Sequence, residues 1–171
     1  EVKHRIIFTN ELKNKNFAKN PIDRCYYCKK ELFGKLVEIA KNEGFNYVLD
    51  ASNIDDAKDY RPGSRAKKEY KVKSPLVEAG FSKDDIRRHS RRLRLKTASL
   101  PSMACLASRF PYGERINKEA LRKIESAEDF IKRQGILQVR IRLHNNIDRI
   151  EVEKKDIKKF VRGFYKKKIG K

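Results

Sequence analysis

Three cysteines carry the side chains best suited to do chemistry: Cys25 and Cys28, three positions apart, and Cys105, far along the chain. A C-x-x-C pair sets two thiols on one turn, close enough to share a metal or close a disulfide. Cys105 lies in PSMACLASRFPYG, residues 101–113, just ahead of Ser108-Arg109 and a Pro-Tyr-Gly turn. A fixed arginine near a thiol favours the thiolate, which is the form that attacks electrophiles and binds metals. Spacing alone leaves four readings open. They are a Cys3His zinc site with His4, His89 or His144 as fourth ligand, a 4Fe–4S cluster with one open iron, a redox pair, and three thiols that never meet. No histidine sits at finger or knuckle spacing, and the chain lacks the tryptophan and surroundings of a thioredoxin-like pair.

A second set of chemically useful residues is cationic. From Ile136 the pattern turns to period two, with Leu137, Val139, Ile141 and Leu143 on one face and Gln138, Arg140, Arg142 and His144 on the other. Asn145-Asn146 reads as a turn, and Ile147 to Val152 as a returning strand with Arg149 and Glu151 on one face. Two arginines on one strand face can grip a phosphate. A solvated face with a cross-strand Arg–Glu pair explains the same pattern equally well.

Those residues need elements to hold them. Arg5 to Phe8 suggests a short strand. Pro21 and Asp23 open a helix that starts at the C-x-x-C, carries Leu32, Leu36, Ile39 and Ala40, and stops at Gly44. Tyr47 to Asp50 is a short apolar run of the kind buried in parallel sheets. A polar loop with a tight Arg61-Pro62-Gly63 turn follows. Ser82 to Asp85 resembles a capping box ahead of a helix with a narrow stripe (Ile86, Ser90, Leu93) and arginines elsewhere. That arginine face reads as solvated more readily than as a phosphate contact. Asn117 caps a long helix with Ala120, Leu121, Ile124, Ala127, Phe130 and Ile131 on one side and Gly135 at its end. A basic tail from Lys154 suggests one more helix around Ile157, Phe160 and Val161. Strand, loop and helix repeating up to Gly135 is the rhythm of an α/β domain with a mostly parallel sheet.

Composition bounds the rest. The 171 residues carry a formal charge of +20, which favours polyanions or phosphorylated small molecules, although Lys enrichment is also a thermophile habit. The basic residues are spread out and form no recognised RNA module, so nucleic acid is the less expected partner. No run of eighteen apolar residues and no signal peptide is visible, and three cysteines suit a reducing compartment. A cytoplasmic, non-membrane protein is expected.

Several blocks in order resemble a known family. They are NPIDRCYYCKKELF (residues 20–33), DYRPG (59–63), SPLVEAG (74–80), MACLASRFPYG (103–113), VRIRLHN (139–145) and RIE (149–151). Together they are similar to the LarE family of ATP-dependent sulfur-insertion enzymes in the PP-loop ATP pyrophosphatase superfamily. The resemblance implies an α/β fold of the adenine nucleotide alpha hydrolase type, a parallel sheet with flanking helices, over residues 1–100. A small α+β part with a β-hairpin, handling sulfur and substrate, would occupy residues 101–171.

It also implies an activity. ATP, with Mg, would adenylate a carboxylate of a pyridinium mononucleotide, and sulfur would then displace AMP, on the way to the nickel-pincer nucleotide cofactor. Cys105 would be the sulfur site, with Ser108 and Arg109 its active-site pair. Arg140 and Arg142 would bind phosphate, aided by Glu128 and Glu151. With a C-x-x-C upstream, the resemblance implies that Cys25, Cys28 and Cys105 hold a 4Fe–4S cluster whose open iron carries sulfide. A sulfide source and a homo-oligomer are further expected partners. A tRNA-thiolating enzyme of the same superfamily and a zinc-containing RNA-binding module are the alternatives.

The chain also departs from the family. The Ser-Gly-Gly-x-Asp-Ser phosphate cradle after the first strand is absent, as is a Gly-, Arg- and Ser-rich C-terminal segment. Arg94 stands where the family has glycine, and the stretch before Pro101 lacks its aromatic. A fragment, or a chain without its less ordered parts, is the expectation, and such a chain alone should not hydrolyse ATP.

Overall fold

The computed structural model describes residues 3–58, 60–144 and 147–168. Two compact units divide it, Glu1–Leu100 and Pro101–Lys171.

Helix α2 (Arg24–Asn42) organises the first unit. The short α1 (Lys15–Ala18) precedes it, and Asn20 makes the bend between them in a left-handed conformation (φ 55°) that asparagine tolerates better than most residues. Asn20 is fully buried and accepts a hydrogen bond from Arg24 Nη1 at 3.1 Å, so the bend is fixed from inside. The α2 face built from Tyr26 and Phe33 buries against α3 (Gly63–Glu69), where Ala66 is fully buried, and Tyr27, Leu36, Tyr70 and Val72 close the edges. Arg65 lies 3.5 Å over the Tyr26 ring, and the Tyr26 hydroxyl donates to Glu69 at 2.9 Å. Gly63 permits this packing, because a Cβ there would stand 3.0 Å from Lys29 Cγ and 3.5 Å from the Cys25 carbonyl. Two short helices follow, α4 (Pro75–Glu78) and α5 (Lys83–Arg92). The expected capping box is present, with Ser82 and Asp85 each bonded to the other's backbone N–H.

Two expectations for this unit change. Residues 3–10 form no strand. They run beside α2, where Lys35 donates to the Phe8 carbonyl at 2.7 Å and the Asn10 N–H meets Glu31, while Ile6 and Phe8 stay exposed. The parallel sheet is reduced, among the described residues, to one bridge between Leu49 and Lys73, and Tyr47 and Leu49 are exposed instead of buried. An apolar run becomes a buried strand only when neighbouring strands take its hydrogen bonds and helices cover both faces. One bridge supplies neither.

The second unit is α6 (Lys118–Arg133) packed on the antiparallel hairpin β1 (Val139–His144) and β2 (Ile147–Val152). Asn117 caps α6 by accepting from the Ala120 N–H at 2.8 Å, and Gly135 ends it at φ 81°. Ile124 and Ile131 of α6 join Phe110, Ile116, Ile136, Val139 and Ile141 in the core. Each such side chain contributes about 1.5–3 kcal/mol when fully buried. The period-two pattern holds from Val139; Leu137, expected on the inner face, is exposed because the strand begins two residues later. Phe130 is likewise more exposed than its place in the stripe implies. The expected Asn145-Asn146 turn lies outside the described residues. The tail is helical, α7 (Ile157–Lys168).

Candidate functional site

In the second unit Cys105 stands exposed at the start of a 3-10 turn, Leu106–Arg109. The turn is held from both ends. The Cys105 carbonyl accepts from the Ser108 N–H at 3.0 Å, from the Ser108 hydroxyl at 2.8 Å and from Arg109 Nη1 at 3.4 Å. Arg109 also donates to the Ala104 carbonyl at 3.3 Å and to the Ser108 hydroxyl at 3.0 Å. The thiol is therefore presented on a backbone whose carbonyls are fixed by the residues following it.

What fixes Arg109 is Glu128. Its two carboxylate oxygens accept from Arg109 Nε at 2.7 Å and Nη2 at 2.9 Å, and the side chains are only 2% and 1% exposed. Glu128 Oε1 also accepts from the Ile141 N–H at 3.0 Å. One carboxylate on α6 thus ties the Cys105 turn to strand β1. This buried carboxylate among isoleucines leaves no trace in apolar periodicity. Only its helical spacing from Ile124 and Ile131 places it on the inner face.

Arg142 joins the same turn from the hairpin. Its Nη1 donates to the Ser108 carbonyl at 3.1 Å and its Nε to Glu151 at 2.9 Å. Arg149 reaches the other Glu151 oxygen at 3.1 Å. The hydrogen bond from Arg142 holds the Glu151 carboxyl below the ordinary glutamate range; burial opposes this, and the fields of Arg142, Arg149 and Arg140 add to it. Arg140 lies directly opposite Glu151 in the register and makes no ion pair among the described residues. Cys105, Ser108, Arg109, Glu128, Arg142 and Glu151 therefore form one connected network, with Arg140 at its edge. Arg109 and Glu128 are sealed inside, while Arg142 and Glu151 remain partly open to solvent.

In the first unit, Cys25 and Cys28 lie at the start of α2, second and fifth of its residues. Neither is in a disulfide; Cys25 is exposed and Cys28 half-buried, its Sγ 3.9 Å from a Glu11 oxygen. Within neither unit, among the described residues, do three or more His, Cys, Asp or Glu side chains gather as a metal site.

Cys25 also borders a cavity of about 590 Å³ that the sequence did not disclose. Asp50 sits in its wall at the centre of a polar cluster. It accepts from the Ser74 hydroxyl at 2.6 Å and the Ser52 hydroxyl at 2.7 Å, and Lys67 Nζ lies 3.2 Å away. Burial pushes the Asp50 carboxyl up, but the hydrogen bonds from Ser74, Ser52 and Lys67 outweigh it and leave the group below its usual value. Arg61 pairs with Asp56 at 2.7 Å, and Lys29 and Tyr60 line the mouth. A space of this size, with two carboxylates, three cations and several hydroxyls in its lining, suits a polar ligand carrying both hydroxyl and phosphate groups. Its only signal in the sequence is a run of small polar residues after an apolar one, a pattern shared with any surface loop.

No family model matches the chain. It is 44% identical over 160 residues to an uncharacterised protein of Synechocystis sp., covering 94% of this chain and 60% of that one. It is 35% identical over 150 residues to the pyridinium-3,5-bisthiocarboxylic acid mononucleotide synthase of Lactiplantibacillus plantarum, covering 88% and 54%. A third similar protein, uncharacterised, is from Methanocaldococcus jannaschii, with 34% identity over 142 residues, covering 83% and 56%. The chain thus spans between half and two-thirds of the length of the curated relatives it matches. The similarity to the synthase supports the LarE-like resemblance drawn from the motifs.

Proposed function

We propose that the chain is part of a LarE-family sulfur transferase acting on a pyridinium mononucleotide. The observation that carries this reading is the 35% identity, over 88% of the chain, with a synthase named for a bisthiocarboxylic acid mononucleotide. Two features of the structure are in keeping with it: an exposed thiol on a rigidly held turn, and a half-open arginine beside that turn.

The reaction class is ATP-dependent. A carboxylate is a poor electrophile until adenylation gives it AMP as a leaving group, after which a sulfur nucleophile displaces AMP. Arg140 and Arg142 would take the phosphate of the mononucleotide, with Glu151 orienting Arg142. Ser108 would offer its hydroxyl to the substrate. Arg109 and Glu128 would keep the Cys105 turn in place. The unit-one cavity, with Lys29, Arg61 and Asp50, is the candidate seat for a nucleotide co-substrate.

Three thiolates are a soft donor set suited to iron–sulfur ligation, and none of the three is tied up in a disulfide. Cys25, Cys28 and Cys105 would hold a 4Fe–4S cluster, which would supply an open iron site carrying the sulfide to be transferred. The test is anaerobic reconstitution with iron and sulfide analysis and a visible spectrum. About four iron per chain are expected, with loss in Cys25→Ser. Full iron retention in that variant, or zinc alone in protein prepared without oxygen, would sink the cluster assignment.

A further inference from the structure

Helix α5 and its exit carry a concentration of cations that the sulfur-transfer reading does not use. Arg87, Arg88, Arg91 and Arg92 lie on the helix, Arg94 follows its C-cap and Lys96 ends the run. Arg88 is paired with Asp85 and Arg87 donates to the Leu100 carbonyl. Arg91, Arg92, Arg94 and Lys96 are exposed and have no carboxylate partner among the described residues. Cations at a helix C-terminus complement the helix dipole, but that effect reaches only the last turn and asks for one or two charges.

Arg94 adds a backbone feature to the same run. Its φ is 54°, the left-handed position that ends the helix, with the Leu95 N–H returning to the Ser90 carbonyl at 2.9 Å. Glycine fits this position without strain, whereas an arginine there bears it and makes no ion pair in return. Lys71 takes the same conformation after α3 (φ 53°), so what sets Arg94 apart is its place within a run of unpaired cations.

The spacing identifies the kind of partner. Arg87 and Arg91 form one row and Arg88 and Arg92 a second, with i,i+4 neighbours about 6 Å apart along the axis, and Arg94 follows beyond the helix end. A row of repeated guanidinium groups matches a polymer of repeated phosphates better than one isolated phosphate, since the planar fork pairs with phosphate oxygens. An anionic membrane is the poorer match: within α5 only Ile86 is apolar, and the exposed Leu93 and Leu95 that follow make no continuous apolar face to bury in lipid. The +20 charge of the whole chain works in the same direction. We propose that α5, with Arg94 and Lys96, is a contact surface for the phosphodiester backbone of nucleic acid. The contact is independent of the sulfur-transfer reading and does not make the nucleic acid a substrate.

The experiment is fluorescence anisotropy of the chain with a labelled single-stranded RNA, an RNA duplex and a DNA duplex, from about 50 to about 200 mM salt. The test variant is Arg91→Gln, Arg92→Gln, Arg94→Gln. The control removes the same charge from exposed sites on α6 (Lys118→Gln, Arg122→Gln, Arg133→Gln). Circular dichroism checks that both fold. Each lost phosphate contact lowers the slope of log K against log salt by roughly 0.7 to 0.9. The test variant should therefore lose about 2 to 3 units of slope and bind at least about tenfold more weakly, with the control close to wild type. The three probes tell RNA from DNA and single strand from duplex. Equal weakening by the control would reduce the effect to net charge and overturn the proposal. Absence of binding at low salt, or preferential binding to anionic vesicles or polyglutamate, would also overturn it.

Discussion

Glu128→Ala is the substitution that most directly tests how the Cys105 turn is held. The carboxylate takes three hydrogen bonds, two from Arg109 and one from the Ile141 N–H, and is 1% exposed. Its removal leaves a buried guanidinium with only the Ala104 and Cys105 carbonyls and the Ser108 hydroxyl, and a buried N–H without its acceptor. Removing one partner of a buried ion pair costs about 3–5 kcal/mol, and a stranded buried donor about 1–3 kcal/mol, the two overlapping in part. A loss of about 4 kcal/mol is expected, a large share of the roughly 5–15 kcal/mol that keeps a domain folded. Urea denaturation measures the loss, and amide exchange locates it, since protection of residues 139–144 should fall with it. The double replacement Arg109→Met, Glu128→Leu removes both charges and leaves no stranded ion, so it should recover most of the lost stability. A loss under about 1 kcal/mol in Glu128→Ala would refute the reasoning, because a buried bidentate pair with a third donor cannot cost so little.

Three further outcomes follow from other residues. Arg94→Gly relieves a left-handed arginine (φ 54°) and should raise stability by about 0.5–1 kcal/mol, read as a small rise in Tm. Ser82→Ala breaks the capping box of α5 and should cost about 1 kcal/mol. Asp50→Asn should destabilise at pH 7 by about 1–3 kcal/mol, since Ser52, Ser74 and Lys67 are bonded to the charged form. Its pKa is lowered on folding, so this stabilisation is present above the unfolded value of 3.8 and lost as pH falls through the folded value. The wild-type advantage over Asp50→Asn should therefore close on acidification below that point; an advantage unchanged in acid would contradict it.

Local chemistry made parts of the fold legible. Caps that act within four residues, such as Ser82 with Asp85 and Asn117 with Ala120, are visible in sequence because both partners are. Gly44 and Gly135 mark helix ends because both have the positive φ glycine favours. The hairpin was legible for the same reason, its alternation being local. Helix α3 was hidden: GSRAKKE has no apolar period, and it is a helix because Ala66 packs on Tyr26 and Phe33, far upstream in the chain. Conversely, Tyr47 to Asp50 has the composition of a buried strand without the neighbours that bury one. For the site, residue types were legible and burial was not. Nothing in Arg109 and Arg142 as letters separates a sealed arginine from an open one.

That separation decides what each arginine can do. Arg109 is 2% exposed and bonded to Glu128, the Ser108 hydroxyl and two carbonyls, so a ligand reaching it would have to break a buried pair. What it does for Cys105 in this structure is hold the carbonyls of the turn. Arg142 is 29% exposed and spends one donor on the Ser108 carbonyl and one on Glu151, which Arg149 also holds. A phosphate arriving there meets an arginine already oriented and could share it with Glu151 while leaving the core intact, because Arg149 remains to balance the carboxylate. The same turn is therefore gripped by a fixed charge from within and by an adjustable one from the hairpin. Through the Ser108 carbonyl, Arg142 is in direct contact with the segment that presents the Cys105 thiol.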